Sequence, residues 1–216
     1  MWIVSNDSTR PIYTSFLTFD VENFTLLPDP KVWIDLRFGP AVAIFLLLSA
    51  VAHFYLSTIG YKAYVANPER GKNPIRFFEY ALSSSVMIVV IALLVGVYEI
   101  GALIGLFGVN AAMNLFGNSM ENDNEYNPKT RWASFIYGCV AGIVPWIVIS
   151  IYFFASVTGG EQKPPSFVYA IVPTLFVFFN IFAINMILQY KKVGPWKNYP
   201  SMVSGPTSCS ASLRRV

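Results

Sequence analysis

The sequence has few of the side chains that build metal sites and disulfide frameworks. It contains two cysteines and one histidine. Cys139 lies inside a long apolar run and Cys209 lies in a polar tail, so this pair provides neither a disulfide framework nor a thiolate metal site. Histidine and carboxylate residues also do not pair at the spacing of metal ligands. We therefore predict that the protein holds no metal.

Charged residues are scarce too, at 12% of the chain, whereas 55% of the residues are hydrophobic. The core of a water-soluble protein does not account for so many hydrophobic and so few charged residues. This composition is typical of polytopic membrane proteins. The net charge of +3 is small for a nucleic-acid-binding protein, and the basic residues lie between apolar runs rather than in a stripe. We therefore expect a lipid bilayer as partner and no nucleic acid.

Common catalytic motifs are absent as well. The sequence contains no glycine-rich phosphate loop and no candidate catalytic triad. We therefore predict that the protein is not an enzyme.

The sequence does contain five apolar runs, each long enough for the roughly 20 residues that a membrane-spanning helix needs. They cover residues 39–63, 74–97, 98–117, 133–157 and 166–190. The second and third runs meet in a very short turn. The predicted fold class is an all-α polytopic membrane helix bundle with five complete spans.

The predicted bundle occupies residues 39–199, between an amino-terminal part (1–38) and a polar tail (200–216). Residues 6–38 mix aromatics, Thr and Asp with prolines, which favours a structured loop, with short strands, on the membrane surface. Asn6-Asp-Ser and Asn23-Phe-Thr fit the N-glycosylation acceptor pattern. In a eukaryotic secretory route, this pattern favours an outward-facing loop.

Basic residues are divided unequally between the two ends of the predicted spans. One end carries Lys62, Arg70, Lys72, Arg76, Lys129, Arg131, Lys191, Lys192 and Lys197, and the other carries Arg10, Lys31, Arg37 and Lys163. Cytoplasmic loops carry an excess of Lys and Arg. We therefore predict that residues 1–38 lie on the extracellular side and the carboxyl-terminal tail on the cytoplasmic side.

Glu79 is a carboxylate inside the second predicted span. On a helix, Glu79, Ser83 and Met87 share one face, at i, i+4 and i+8. Ionisable residues inside a membrane span cost several kcal/mol and usually mark functional sites that face the bundle interior. The alternative is that Glu79 only pairs with Arg76, one turn away, near the membrane surface.

The first predicted span carries a polar stripe in which Ser49, His53 and Ser57 recur every four residues. A histidine on such a stripe either makes a hydrogen bond to a neighbouring helix or carries a proton.

Further polar and aromatic side chains follow helical spacing in the third and fifth spans. Asn110, Asn114 and Gly117 share a face with Met113 beside it, and Phe179, Phe182 and Met186 recur near Asn185 and Gln189. Such stripes usually reflect ordinary packing. Because they face a bundle that also contains an acid and a histidine, a cavity for a large apolar ligand is the alternative.

Several motifs together resemble the heliorhodopsins, a family of seven-helix retinal proteins with inverted membrane orientation. The motifs are Asn6-Asp-Ser-Thr-Arg-Pro, Asp35-Leu-Arg-Phe-Gly-Pro, Ser49-Ala-Val-Ala-His53, residues 76–88 with Glu-Tyr-x-x-Ser-Ser-Ser, residues 107–117, residues 176–190 and Lys191-Lys192-Val-Gly-Pro-Trp196. The resemblance covers about residues 1–199. Under it, the five spans correspond to the family's second to sixth helices.

The resemblance implies a light-sensing protein that binds all-trans retinal, with Glu79 as counterion of the protonated Schiff base. It also implies a proton-accepting polar pocket of His53, Ser49 and Ser83. The implied retinal pocket consists of Met87, Asn110, Met113, Phe179, Phe182 and Gln189.

Both ends of the chain depart from the family pattern. Met1-Trp-Ile-Val resembles only the last turn of the first helix, and residues 200–216 are too polar to span a membrane. All lysines lie in loops or at span ends, so we expect no chromophore-attachment lysine in this chain.

A shifted frame through codons for residues 202–216 can encode an apolar run ending in Ala-Lys-Ser. We therefore hypothesise a frameshift, which resequencing tests.

Three functions remain open at this level. The first is a heliorhodopsin-type photoreceptor that acts on a signalling partner the sequence does not identify, with a homodimer as a candidate state. The second is a light-gated or light-driven proton or ion conductor on the same scaffold, for which the spans offer few polar residues. The third is a truncated remnant or a protein unrelated to light.

The first prediction concerns the covalent attachment of retinal to the 216-residue chain. Because no lysine lies within a span, all-trans retinal should form no covalent pigment with it. Borohydride reduction followed by mass spectrometry checks this, and a reduced retinal adduct on any lysine would contradict it.

Overall fold

The computed structural model describes residues 9–61, 74–127, 129–159 and 166–193. Two strands, β1 (Thr9–Asp20) and β2 (Thr25–Arg37), precede five helices. The helices are α1 (Phe38–Ser57), α2 (Pro74–Val95), α3 (Ile100–Asn124), α4 (Ala133–Gly159) and α5 (Ser166–Lys191). All five helices are long and apolar enough to cross a membrane, which confirms the predicted fold class.

Several sequence-based expectations lie outside the described residues. These are the turn at residues 1–4, the first acceptor pattern at Asn6, the tail at 200–216, and the basic residues Lys62, Arg70, Lys72, Lys163 and Lys197.

Two helix ends differ from the predicted bounds by more than two residues. The first helix ends at Ser57 rather than at residue 63, because the chain turns where the Thr58 and Gly60 amides donate to Phe54 and Tyr55 carbonyls. The third helix continues to Asn124 rather than ending at residue 117. Its last turns are polar in sequence, yet Met120 and Glu121 are buried against the bundle. Tertiary contacts therefore extend α3 beyond its apolar run.

Residues 9–37 form one long antiparallel hairpin rather than a loop with short strands. Its register runs from Thr9 opposite Arg37 to Asp20 opposite Thr25, with an irregularity between Ile12 and Tyr13. At the tip, the Asp20 carboxylate accepts hydrogen bonds from the Asn23 side-chain amide at 2.8 Å and the Glu22 backbone amide at 3.0 Å. These bonds, the Asn23 bond first, hold the pKa of Asp20 below its usual value.

The hairpin is docked on one end of the helix bundle. Ile12 is 5% exposed and belongs to the same buried cluster as Val97 and Leu103. The neighbouring Tyr13 amide donates to the Tyr98 carbonyl at 2.8 Å. The base of the hairpin is therefore fixed to the turn that joins α2 to α3.

That turn is as short as the sequence predicts. Gly96 adopts a positive φ of 103°, a conformation that glycine reaches without a steric penalty. The Val97 amide then donates to the Ala92 carbonyl at 2.9 Å, and the Glu99 side chain caps α3 by accepting from the Ala102 amide at 2.8 Å. The two helices consequently run antiparallel and adjacent.

The core consists of two buried clusters along the bundle. The cluster nearer the hairpin contains Ile88, Leu93, Leu106, Trp146 and Ile149, and the other contains Phe77, Met120 and Met186. Edge-to-face ring contacts connect α5 to both. They are Trp146–Phe176, Trp146–Phe179, Phe153–Tyr169 and Phe77–Phe182, with ring centroids 5.2, 5.3, 6.2 and 5.6 Å apart. Aromatic packing thus places α5 against α2 and α4.

Helices α2 and α3 approach closely where Gly117 faces the fully buried ring of Phe77. A Cβ atom at Gly117 would lie 2.4 Å from Cε1 of Phe77. The ring is enclosed by Met120 and Phe182, so glycine is required here for packing.

Gly117→Ala should therefore destabilise the bundle by about 1–3 kcal/mol, because the Phe77 ring must be displaced from a packed core. Gly108→Ala is the matched control on the same helix, since a Cβ there meets nothing within 4 Å. Thermal unfolding in detergent measures both. Equal midpoints for the two variants would show that this approach is not tight.

Candidate ligand-binding site

A cavity of about 520 Å³ lies among α1, α2, α3 and α5, and we call it the carboxylate cavity because Glu79 lines it. Its walls are mostly apolar, with a few polar side chains from α1, α2 and α3 and Asn185 from α5. The apolar lining includes Phe45, Met87, Met113, Phe178, Phe179 and Phe182, and the polar lining includes Ser49, Glu79, Ser83, Ser84 and Asn114. Such a composition is typical of sites for small organic molecules.

A second cavity, of about 220 Å³, lies among α3, α4 and α5. It shares Met113, Asn114, Phe179 and Phe182 with the carboxylate cavity, and it extends to Trp146. On α4, Gly142 leaves room for Met113, whose Sδ would lie 2.5 Å from a Cβ at that position. The two cavities together form an elongated apolar region bordered by the same four residues.

The Glu79 carboxylate is held by α1. Its Oε1 accepts a hydrogen bond of 2.9 Å from the Ser49 hydroxyl. Within the described residues, no Lys, Arg or His side chain forms an ion pair with Glu79. The polar partner of this carboxylate is therefore a neutral hydroxyl.

Arg76, the alternative partner considered for Glu79, forms its ion pair with α3. Its Nη2 lies 2.8 Å from Oε1 of Glu121, whose side chain is 1% exposed. The guanidinium also lies 4.8 Å from the ring centroid of Phe77 and 5.2 Å from that of Phe182, within the range of cation–π attraction. The two acids of this region thus have different partners.

Sequence reasoning missed Glu121 because the predicted third span ended too early. A signal was nevertheless present, since Asn110, Asn114, Gly117 and Glu121 follow each other at helical spacings of 4, 3 and 4. All four are buried in the structure. The polar face recognised in the sequence therefore continues by one turn.

Asparagines of that face bond to the serine triplet of α2. The Asn110 amide donates to the Ser84 and Ser85 hydroxyls at 2.8 and 3.0 Å, and the Asn114 amide donates to Ser84 at 3.1 Å. Ser84 in turn donates to the Tyr80 carbonyl at 2.6 Å. Asn110, a predicted pocket residue, is 2% exposed and lines neither cavity. Asn110 therefore holds Ser84, which lines the carboxylate cavity, without lining the cavity itself.

The predicted polar pocket is brought together only in part. Ser49 and Ser83 line the carboxylate cavity, whereas His53 is exposed and is not among its lining residues. Nδ1 of His53 lies 2.8 Å from the Ser49 carbonyl oxygen one turn away. Because a carbonyl can only accept, Nδ1 carries the hydrogen and Nε2 is the basic nitrogen.

The predicted retinal-pocket residues also divide. Met87, Met113, Phe179 and Phe182 line the carboxylate cavity, but Gln189 lines neither cavity. Gln189 lies too close to the end of α5, at Lys191, to reach either. Tyr80, Ser84 and Trp146 line the cavities without having been predicted, because an aromatic or serine in a span is more often part of ordinary packing.

Glu121→Gln should lower the free energy of unfolding by about 3 kcal/mol, because it leaves the Arg76 guanidinium facing a neutral partner in a buried site. Arg76→Gln added to Glu121→Gln should restore part of that loss, which a double-mutant cycle of unfolding measurements detects. Glu22→Gln, on the exposed hairpin turn, is the control. Additive effects of the two core substitutions would contradict the pairing.

A comparison with protein families gives a match over residues 1–202 to the family model described as Heliorhodopsin. The match confirms the resemblance recognised in the sequence motifs. No curated protein matches the chain.

Proposed function

The chain belongs to the heliorhodopsin family, and we propose that it is a retinal-binding membrane protein of photoreceptor type, in which Glu79 is placed to be the counterion of a protonated retinal Schiff base, although no described lysine lines the cavity to form one. The membership and the five apolar helices make it an integral membrane protein. The counterion role, the proton-accepting groups and the orientation are our proposals.

The carboxylate cavity suits retinal in size and in chemistry. Its volume of about 520 Å³ falls within the roughly 300–1,000 Å³ of typical ligand pockets. Met87, Met113, Phe179 and Phe182 would hold the apolar polyene, and the second cavity adds length toward Trp146. When bound, retinal supplies a light-absorbing polyene and, as a protonated Schiff base, a buried cation.

The observation that carries the proposal is the position of Glu79, which lines this cavity while Arg76 pairs with Glu121. A carboxylate in a membrane span is costly without a compensating charge. A cation bound in the cavity would provide that charge, and the anion would in turn stabilise the cation. Ser49 supports the anionic form through its hydrogen bond of 2.9 Å.

We propose that His53 accepts a proton released from the cavity, because the family resemblance implies this role and Ser49 connects the positions of Glu79 and His53. Ser49 contacts Glu79 through its hydroxyl and His53 through its carbonyl oxygen, one turn further along α1. Imidazole readily exchanges a proton near neutral pH, and Nε2 is the nitrogen available to accept it. Ser83 lines the cavity one turn after Glu79 on α2.

We also propose the orientation that the loop charges predict. The hairpin at one end of the bundle would be extracellular, and the end that carries Arg131, Lys191 and Lys192 would be cytoplasmic. A homodimer and an unidentified signalling partner remain predictions.

The test of the counterion uses a preformed ligand, because none of the four lysines in the described residues (Lys31, Lys129, Lys191 and Lys192) lines the cavity. The Schiff base of all-trans retinal with butylamine is added to the purified chain, and its absorbance is titrated with pH. Glu79→Gln removes the attraction for the cation. The pH at which half of the bound ligand is deprotonated should therefore fall by about 1–3 units.

Glu99→Gln is the matched control, because Glu99 caps the first turn of α3 and a glutamine oxygen can accept the same bond. This variant should titrate like the unchanged protein. Where the ligand stays protonated, its visible band should move to longer wavelength in Glu79→Gln. Identical titrations for the unchanged protein and Glu79→Gln would remove Glu79 from the site.

A further inference from the structure

We infer that Asn23, at the tip of the hairpin, is an acceptor for N-linked glycosylation in cells whose secretory pathway attaches oligosaccharides to asparagine. The inference rests on the proposed orientation, in which the hairpin faces away from the cytoplasm. It does not depend on retinal binding.

The acceptor pattern lies on the connection between the two strands. Asn23 and Phe24 belong to the turn at residues 21–24, and Thr25 begins β2. All three residues are exposed. An acceptor asparagine needs a hydroxyl residue two positions later and a surface loop, and this turn provides both.

The turn also lies far from the bundle. Ile12 is where the hairpin is anchored, and the eight residues from there to Asp20 span about 26 Å at about 3.3 Å per residue. The described helices therefore do not surround Asn23. A bulky sugar at this position would displace no packed side chain.

Hydrogen bonding at the turn is compatible with the modification. Nδ2 of Asn23 has two hydrogens, one of which is donated to Oδ2 of Asp20 at 2.8 Å. Transfer from a lipid-linked pyrophosphate donor forms a bond between Nδ2 and the anomeric carbon of the sugar. It breaks the bond from that carbon to the phosphate oxygen and releases one amide proton and the lipid pyrophosphate. The remaining hydrogen can still bond to Asp20.

The surroundings of Asn23 give the sugar a physical role. Phe24 is 79% exposed and Val21 is 70% exposed, so the tip of the hairpin is apolar and lies on the extracellular side in the proposed orientation. A hydrophilic oligosaccharide beside them would raise the solubility of this tip.

The experiment expresses the full chain in cultured animal cells without added retinal and follows its mobility before and after treatment with an N-glycosidase. Every variant also carries Asn6→Gln, which removes the other acceptor pattern. Any glycosidase-sensitive change in mobility then reports on Asn23. This protein should show one glycosidase-sensitive increment. Adding Asn23→Gln or Thr25→Ala should remove it, whereas Thr25→Ser should retain it because serine also satisfies the acceptor pattern.

A reporter on the opposite end separates a wrong orientation from a poor acceptor. Tyr126→Asn combined with Pro128→Thr places an acceptor pattern at position 126, which is 87% exposed and lies in the loop proposed to be cytoplasmic, and should add no increment. Loss of the Asn23 increment together with modification of this reporter would overturn both the orientation and the inference. Absence of modification at both positions would overturn the inference about Asn23 alone.

Discussion

The structure depends on the polar contact between α2 and α3, where asparagine amides of one helix donate to serine hydroxyls of the other. Each hydrogen bond of this kind is worth only about 0.6–2 kcal/mol in a bilayer. Their effect is larger together, because a bilayer offers no water to an amide left without a partner. The short turn at Gly96 and the close approach at Gly117 hold the two helices in the register that these bonds need.

This fixed helix pair gives two acids opposite surroundings. Glu121 is neutralised by Arg76 beneath the rings of Phe77 and Phe182. Glu79 lies one turn further along α2 and contacts only a serine hydroxyl among the described polar groups. Because Arg76 pairs with Glu121, we propose that the charge of Glu79 serves a bound ligand, and the family membership makes retinal the candidate.

Much of this arrangement follows from the sequence, because apolar length and helical spacing are local properties. They gave the five helices, the short turn and the carboxylate at Glu79, whereas the lining by Met87, Met113, Phe179 and Phe182 was implied by the family resemblance. Properties set by distant contacts did not follow from it. The sequence could not reveal that Glu121 pairs with Arg76 in an extended α3. It also could not reveal that Asn110 is buried without lining the cavity, or that His53 is exposed. The long hairpin was likewise underestimated, because prolines in β2 suggested shorter strands.

The α5 side of the cavity is held by ring contacts, and the α2–α3 side is held by hydrogen bonds. The α5 side is therefore the more compliant wall. Aromatic pairs interact over centroid distances of about 4.5–7 Å, whereas hydrogen bonds such as those between α2 and α3 need donor–acceptor distances of about 2.5–3.2 Å. A change in the shape of a bound molecule would therefore be transmitted to Phe179 and Phe182 rather than to the serine and asparagine side. Phe179 and Phe182 are the rings by which α5 contacts Trp146 of α4 and Phe77 of α2.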